Sequence, residues 1–195
     1  METFTGQYGV VLLLDSCIKG TALRINHNLN SGNAIDFQNQ HIPHVTLYHS
    51  SFVNARVEDM SMFLQQINRA LPRQLMHFFR VKTFAEKFVF WHLDDKEPYM
   101  DAHTIAMFLA ALRSRPKKSQ VMKENLTLSR EERRNDKLFG HPLVNELWQP
   151  HITVGYYPDG AGDINECHSQ VGKVEAVAFV EVGDYGTIKR IVCQV

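Results

Sequence analysis

The chain uses one four-residue pattern twice: His44-Val45-Thr46-Leu47 and His151-Ile152-Thr153-Val154 both read His, β-branched apolar, Thr, apolar. In a strand, successive side chains point to opposite faces. His44 and Thr46 therefore share one face and Val45 and Leu47 the other; His151 and Thr153 likewise oppose Ile152 and Val154. A fold built on these strands has to bury two aliphatic faces and leave two imidazole-plus-hydroxyl faces on a cleft. Ten histidines in 195 residues make a single His-x-Thr unremarkable. Two full tetrads arise by chance in fewer than about 1% of such chains. Pro43 and Pro150 each precede the histidine, a position that suits proline at the start of a strand.

The segments between the tetrads read as alternating strands and helices. Tyr8 to Leu14 is a first strand, and Ser16 to Leu29 a helix weakened by Gly20. Residues 30–40, rich in Asn, Gly and Gln, form a loop. Apolar Val57, Met60, Phe63, Leu64, Ile67 and Leu71 have helical spacing and stop at Pro72. Gln74 to Thr83 and Lys87 to Leu93 are paired strands, and Tyr99 to Leu112 is a helix. A polar stretch, Arg113 to Lys137, leads to the second tetrad. Val174 to Val182 and Thr187 to Val195 form a closing hairpin through residues 183–186. Each half of the chain holds a helix, several strands and one tetrad. The mixture of helices and mainly antiparallel strands predicts an α+β fold in one domain spanning residues 1–195.

Composition narrows the function. Lys plus Arg equals Asp plus Glu, so overall charge gives no steering toward nucleic acid, and any such signal is local. The run Val10 to Leu14 ends at Asp15, too short to span a membrane. Cys17, Cys167 and Cys193 are too few and scattered for a disulfide framework and read as reduced thiols of a cytoplasmic protein. His41, His44 and His49 contain a His-x-x-His pair but no convincing third ligand, so no metal and no cofactor are expected. A metallohydrolase built on the His41 region is the competing class.

The tetrads carry a definite chemistry. In-line cleavage of a phosphodiester needs a base for the nucleophile and an acid for the leaving oxygen on opposite sides of phosphorus. Histidine suits both roles near neutral pH. Two threonine hydroxyls can donate to the non-bridging oxygens as charge builds. No metal enters this scheme.

In its doubled tetrad and its strand–helix order the chain resembles the two-histidine (LigT-like, 2′-5′ RNA ligase-like) phosphoesterases. The resemblance implies a bilobal, pseudo-two-fold fold, with two mainly antiparallel sheets and flanking helices around a central groove. It implies His44, Thr46, His151 and Thr153 as the site. It also implies an RNA end or a nucleotide as substrate: a 2′,3′-cyclic phosphate, a 2′-5′ linkage or a cyclic oligonucleotide. Reversible 2′-5′ RNA ligation and non-catalytic nucleotide or RNA binding are the alternatives. A polar basic insertion near residues 113–148 sets this chain apart from compact members.

Other residues have secondary roles in this reading. Tyr48 and Tyr157 continue the cleft-facing alternation of their strands and are candidate phosphate or base contacts, as is Trp148 just before the second tetrad. Phe88, Phe90 and Trp91 are expected in the core. His49 is expected on the core-facing side of its strand or just past it, and His77, His92, His103 and His141 as packed or surface residues. Arg115, Lys117 and Lys118 form a candidate basic flap over the groove. Replacing these three together is expected to weaken oligonucleotide binding and flatten its salt dependence, and to affect a cyclic mononucleotide much less. Equal salt slopes for variant and wild type would reduce the segment to a solvated loop.

Overall fold

The computed structural model describes residues 2–29, 31–57, 60–112 and 128–195. Its strands are β1 (Glu2–Leu14), β2 (His44–Val57), β3 (Met76–Phe84), β4 (Phe88–Leu93), β5 (His151–Tyr156), β6 (Asn165–Gly172), β7 (Val174–Val182) and β8 (Ile188–Gln194). Four α-helices lie among the described residues: α1 (Ser16–Asn28), α2 (Met60–Ala70), α3 (Met100–Met107, continued by a tighter turn to Leu112) and α4 (Arg130–Phe139). The strands form two antiparallel four-stranded sheets, ordered β2-β1-β7-β8 and β5-β4-β3-β6. The α+β architecture is as the sequence predicts. No described helix is long and apolar enough to cross a membrane.

The sheets are not the two halves of the chain. The first takes β1 and β2 from one end and β7 and β8 from the other; the second is the middle of the sequence. β1 is central in its sheet and buried on both faces, which explains its unbroken apolar run. Val10, Leu12 and Leu14 enter the main core, while Val11 and Leu13 join a smaller cluster with Ala178, Val180 and Ile188. Helix α1 leaves β1 but packs on β5 and β6 of the other sheet, so the lobes interlock. Asp15 fixes that crossing. Its carboxylate accepts from the Ile18 amide at the helix start and from the Lys173 amide between β6 and β7. Gly172 leaves room for this, since a Cβ there would lie 2.6 Å from Asp15 Oδ1 and from Ile18 Cγ1.

Two elements have weak sequence signals. Helix α4 overlaps the end of the stretch read as polar, Arg113 to Lys137, and runs two residues past it. Its start is a capping box: Ser129 Oγ accepts from the Glu132 amide, and the Glu132 carboxylate accepts from the Ser129 amide. Strand β6 is polar because it is an edge strand with only one covered face.

Both tetrad strands are also edge strands, β2 of the first sheet and β5 of the second, and they lie against each other without pairing. Side chains close their open edges. On β2, the Trp148 indole N–H donates to the Thr46 carbonyl (3.1 Å) and His103 Nδ1 donates to the Leu47 carbonyl (2.7 Å). The two rings stack 4.4 Å apart and nearly parallel. On β5, the Asn26 and Asn33 amides donate to the Val154 carbonyl, and Asn33 Oδ1 accepts from the Tyr156 amide. Without these caps, buried carbonyls would go unpaired at about 1–3 kcal/mol each.

The cap on β2 makes the fold acid-sensitive. His103 is fully buried, donates through Nδ1, and accepts the Asn145 amide at Nε2, so its environment fits only the neutral ring. Burial pushes its pKa down from 6.5 to about 4. The unfolded chain takes up a proton between those values that the folded chain refuses, so stability is lost as pH falls through the window. At pH 5 this one group is expected to cost about 2 kcal/mol relative to pH 7.5. Urea unfolding at the two pH values, for wild type and His103→Gln, checks it: the variant is expected to be less stable at pH 7.5 but less pH-dependent. Equal pH dependence in both would remove His103 from this role.

Candidate active site

A cavity of about 130 Å³ opens where β2 and β5 meet, lined by Thr46 from the first tetrad and by His151 and Thr153 from the second. Each tetrad carries a β-bulge at the same place. Val10 pairs with Tyr48 and Val11 with Thr46, leaving Leu47 as the extra residue. Val89 pairs with Gly155 and Phe90 with Thr153, leaving Val154 extra. Bulges re-aim the side chains that follow them. Gly9, opposite His49, permits the close approach at the first bulge: a Cβ there would lie 2.6 Å from the Tyr48 carbonyl and from His49 Cβ.

The two imidazoles are held alike. His44 Nδ1 donates to the Ile42 carbonyl (2.8 Å), and His151 Nδ1 donates to the Gln149 carbonyl (2.6 Å). In both cases the acceptor lies two residues back, across the proline. A carbonyl can only accept, so both rings carry their Nδ1 hydrogen and turn Nε2 toward the other side. The environments then diverge. His44 Nε2 lies 3.2 Å from the Gly186 carbonyl, on the loop between β7 and β8. Only the doubly protonated ring can donate to both carbonyls. Burial lowers the His44 pKa, and the two carbonyl bonds work in the opposite direction. His151 stacks on Phe90 at 3.6 Å, and its Nε2 has no hydrogen bond among the described residues. Burial drives its pKa from 6.5 to about 3, helped by charge on His92, His44 and His49. Neither threonine hydroxyl is bonded to another described residue, so both can serve a ligand.

The rest of the wall differs from the expectation of strict alternation. After the first bulge His49 joins Tyr48 on the cavity wall. It meets His141 edge-on at 4.6 Å, and both line the cavity. His49 Nδ1 is buried without a partner, and burial lowers its pKa to about 4. Tyr48 borders the cavity, but its phenol donates to the Phe139 carbonyl at 2.5 Å and the residue is buried. Tyr157 is buried in the core beside Gly155 and is not among the lining residues. The same bulge logic moves it off the cleft face. Trp148 borders the cavity while its indole N–H is committed to Thr46. Phe88 and Phe90, expected in the core, form the wall with Phe84 and Tyr185, whereas Trp91 is fully buried and donates to the His168 carbonyl. His141, Leu143, Val144 and Trp148 bring the segment read as an insertion into the cavity wall. Arg115, Lys117 and Lys118 lie outside the described residues.

No Lys, Arg, Asp or Glu lines the cavity among the described residues. An anion here would meet imidazoles, hydroxyls and the Gln149 amide against a low-dielectric aromatic wall. Among the described residues, no three His, Cys, Asp or Glu side chains are grouped to hold a metal ion. His41 Nδ1 accepts the Asp36 amide in its loop. Sequence reasoning missed His49, His141, Tyr185 and Gly186, because no residue pattern announces a bulge or the return of a distant loop.

No family model matches the sequence, and no curated protein matches it. The cap on the first tetrad is directly testable. Trp148→Phe keeps an aromatic ring over His103 but leaves the Thr46 carbonyl without its donor. The expected loss is about 1–3 kcal/mol in urea unfolding. Unchanged stability would mean the bond contributes nothing to holding β2.

Proposed function

We propose that the chain is a phosphoesterase that cleaves a phosphodiester or cyclic phosphate of RNA or a nucleotide. One observation carries the reading: two His-x-Thr strands from separate sheets meet at one cavity lined by Thr46, His151 and Thr153, with His44 just outside the lining on the carbonyl of the lining residue Gly186, and each imidazole is fixed through Nδ1 to the carbonyl two residues back. His151 is the base. Its environment keeps it neutral, and its Nε2 lone pair takes the proton of the attacking hydroxyl or water as the new P–O bond forms. His44 is the acid. Its two carbonyl partners favour the imidazolium, and its Nε2 proton passes to the leaving oxygen as the P–O bond to that oxygen breaks. Thr46 and Thr153 donate to the non-bridging oxygens. In the aromatic wall, Phe90 and Tyr185 offer ring faces to a base at the cavity.

The test separates acid from base. On a 2′,3′-cyclic nucleotide, His44→Ala and His151→Ala are each expected to lose at least about 10²–10⁴-fold in kcat/KM. On a p-nitrophenyl phosphodiester, whose leaving group needs no proton, His44→Ala is expected to recover most of its rate and His151→Ala none. Thr46→Ala and Thr153→Ala are expected to lose about 10–10³-fold. Near wild-type turnover by either histidine variant on the cyclic nucleotide overturns the mechanism. Loss of activity in EDTA, restored by a divalent ion, moves it to metal-assisted hydrolysis. The pH profile follows from the two environments. Activity needs neutral His151, pushed down to about 3, and protonated His44, held below the ordinary 6.5. The bell of kcat/KM is therefore expected to lie on the acid side of pH 6.5, and a maximum above pH 8 would contradict the assignment.

A further inference from the structure

The face of the second sheet that carries His151 and Thr153 continues beyond the cavity. Strand register sets out its rows. His151 pairs with His92, and His92 with Arg80; Thr153 pairs with Phe90, and Phe90 with Lys82; Phe88 pairs with Phe84. Directly opposed residues of antiparallel strands share a face. Arg80 and Lys82 thus lie on the tetrad face two strands from β5, about 10 Å across the sheet. Both are exposed. Neither takes part in an ion pair with a described residue. Between these cations and the cavity run ring faces: Phe90 on His151 at 3.6 Å, and Phe84 stacked on Phe90 at 5.1 Å. Phe84 and Phe88 remain half-exposed.

Ring faces beside cations that lack a carboxylate partner among the described residues, Arg80 lying 5.8 Å over the Phe79 ring, in register with an imidazole and a hydroxyl, fit a single-stranded nucleic acid. Bases stack on the rings, and phosphates meet the cations. We propose that this strip is a second subsite, which takes the nucleotide next to the scissile phosphate of a single-stranded oligonucleotide. Arg80 and Lys82 hold its phosphate, and Phe84 and Phe88 accept its base. This rests on the phosphoesterase reading and narrows its substrate to a chain longer than one nucleotide. It also supplies the cationic charge that the cavity wall lacks.

The experiment measures binding of a fluorescein-labelled single-stranded hexaribonucleotide by anisotropy across a salt series, on the His44→Ala background so that the probe is not consumed. Adding Arg80→Gln and Lys82→Gln removes both cations from the one phosphate they hold. Affinity at low salt is expected to fall on the order of tenfold, and the log–log salt slope to flatten by about 0.7. Phe84→Ala is expected to weaken binding on the order of tenfold with the salt slope kept. Both charged side chains are exposed, so the thermal midpoint is expected to stay within about 2 °C. Equal affinities and slopes overturn the strip. So does equal competition by a polyglutamate peptide of the same charge, which would make it a general anion patch. Turnover of a single-stranded oligoribonucleotide ending in a 2′,3′-cyclic phosphate by the unaltered protein is read separately. If it is absent while the slope difference persists, the catalytic reading fails and the strip stands.

Discussion

The site depends on closing two sheet edges without adding a strand to either. An unpaired edge exposes carbonyls and amides that water, another strand or side chains must satisfy. Here the tetrad strands are the edges, and the cleft needs them open on one side. Trp148 and His103 cap β2, and Asn26 and Asn33 cap β5. All four caps bond carbonyls at or next to the bulged residues, Leu47 and Val154. The same groups therefore hold the bulges, and the bulges decide which side chains face the cavity. Interlocking adds to this, because Trp148 precedes the second tetrad but bonds the first, while Asn26 lies on a helix entered from the first sheet but bonds the second.

This arrangement shows what was legible in the residues and what was not. The tetrads were legible because alternation is local: His44, Thr46, His151 and Thr153 share faces as a two-residue period requires. The α+β composition was legible for the same reason, through runs such as Val10–Leu14 and the spacing of Leu64 and Ile67. Alternation failed where the bulges interrupt it. Counting puts Tyr48 and Tyr157 on the cleft; Tyr48 does border the cavity with its phenol bonded to Phe139, whereas Tyr157 is buried in the core and His49 comes forward. Phe90 is buried as its aromatic character predicts, and Phe88 is partly buried, but both also form cavity wall on one face of β4. Helix α4 carried an overlooked capping signal in Ser129 and Glu132. Strand β6 carried almost none, since an edge strand covered on one face by a helix needs little apolar sequence. The contribution of Gly186 to His44 is a contact across 142 positions, beyond any local pattern.

The electrostatics follow from the same economy. The cavity wall is aromatic and, among the described residues, carries no fixed charge, so every charge placed there is costly and its imidazoles favour neutrality. Burial lowers the pKa of His44, His49, His141 and His151 alike. What separates the tetrad histidines is hydrogen bonding: two carbonyl acceptors for His44, one for His151. The proposed acid and base roles rest on that difference, with the second carbonyl favouring the proton on His44. On the proposed function, a bound phosphate would add negative charge and raise both values, toward the pH at which proton transfer is useful.

The central claim is that the two tetrad imidazoles face one phosphate in opposite protonation states. Ring ¹⁵N NMR of His44 and His151, recorded at pH 5.5 with and without a nucleoside 2′-monophosphate, addresses it most directly. The account predicts that with the nucleotide bound His44 carries hydrogens on both ring nitrogens, while His151 is neutral and protonated on Nδ1, its Nε2 signal moving on addition of the nucleotide. A neutral Nε2–H tautomer at His151, or signals of both rings that ignore the nucleotide at saturation, would contradict it.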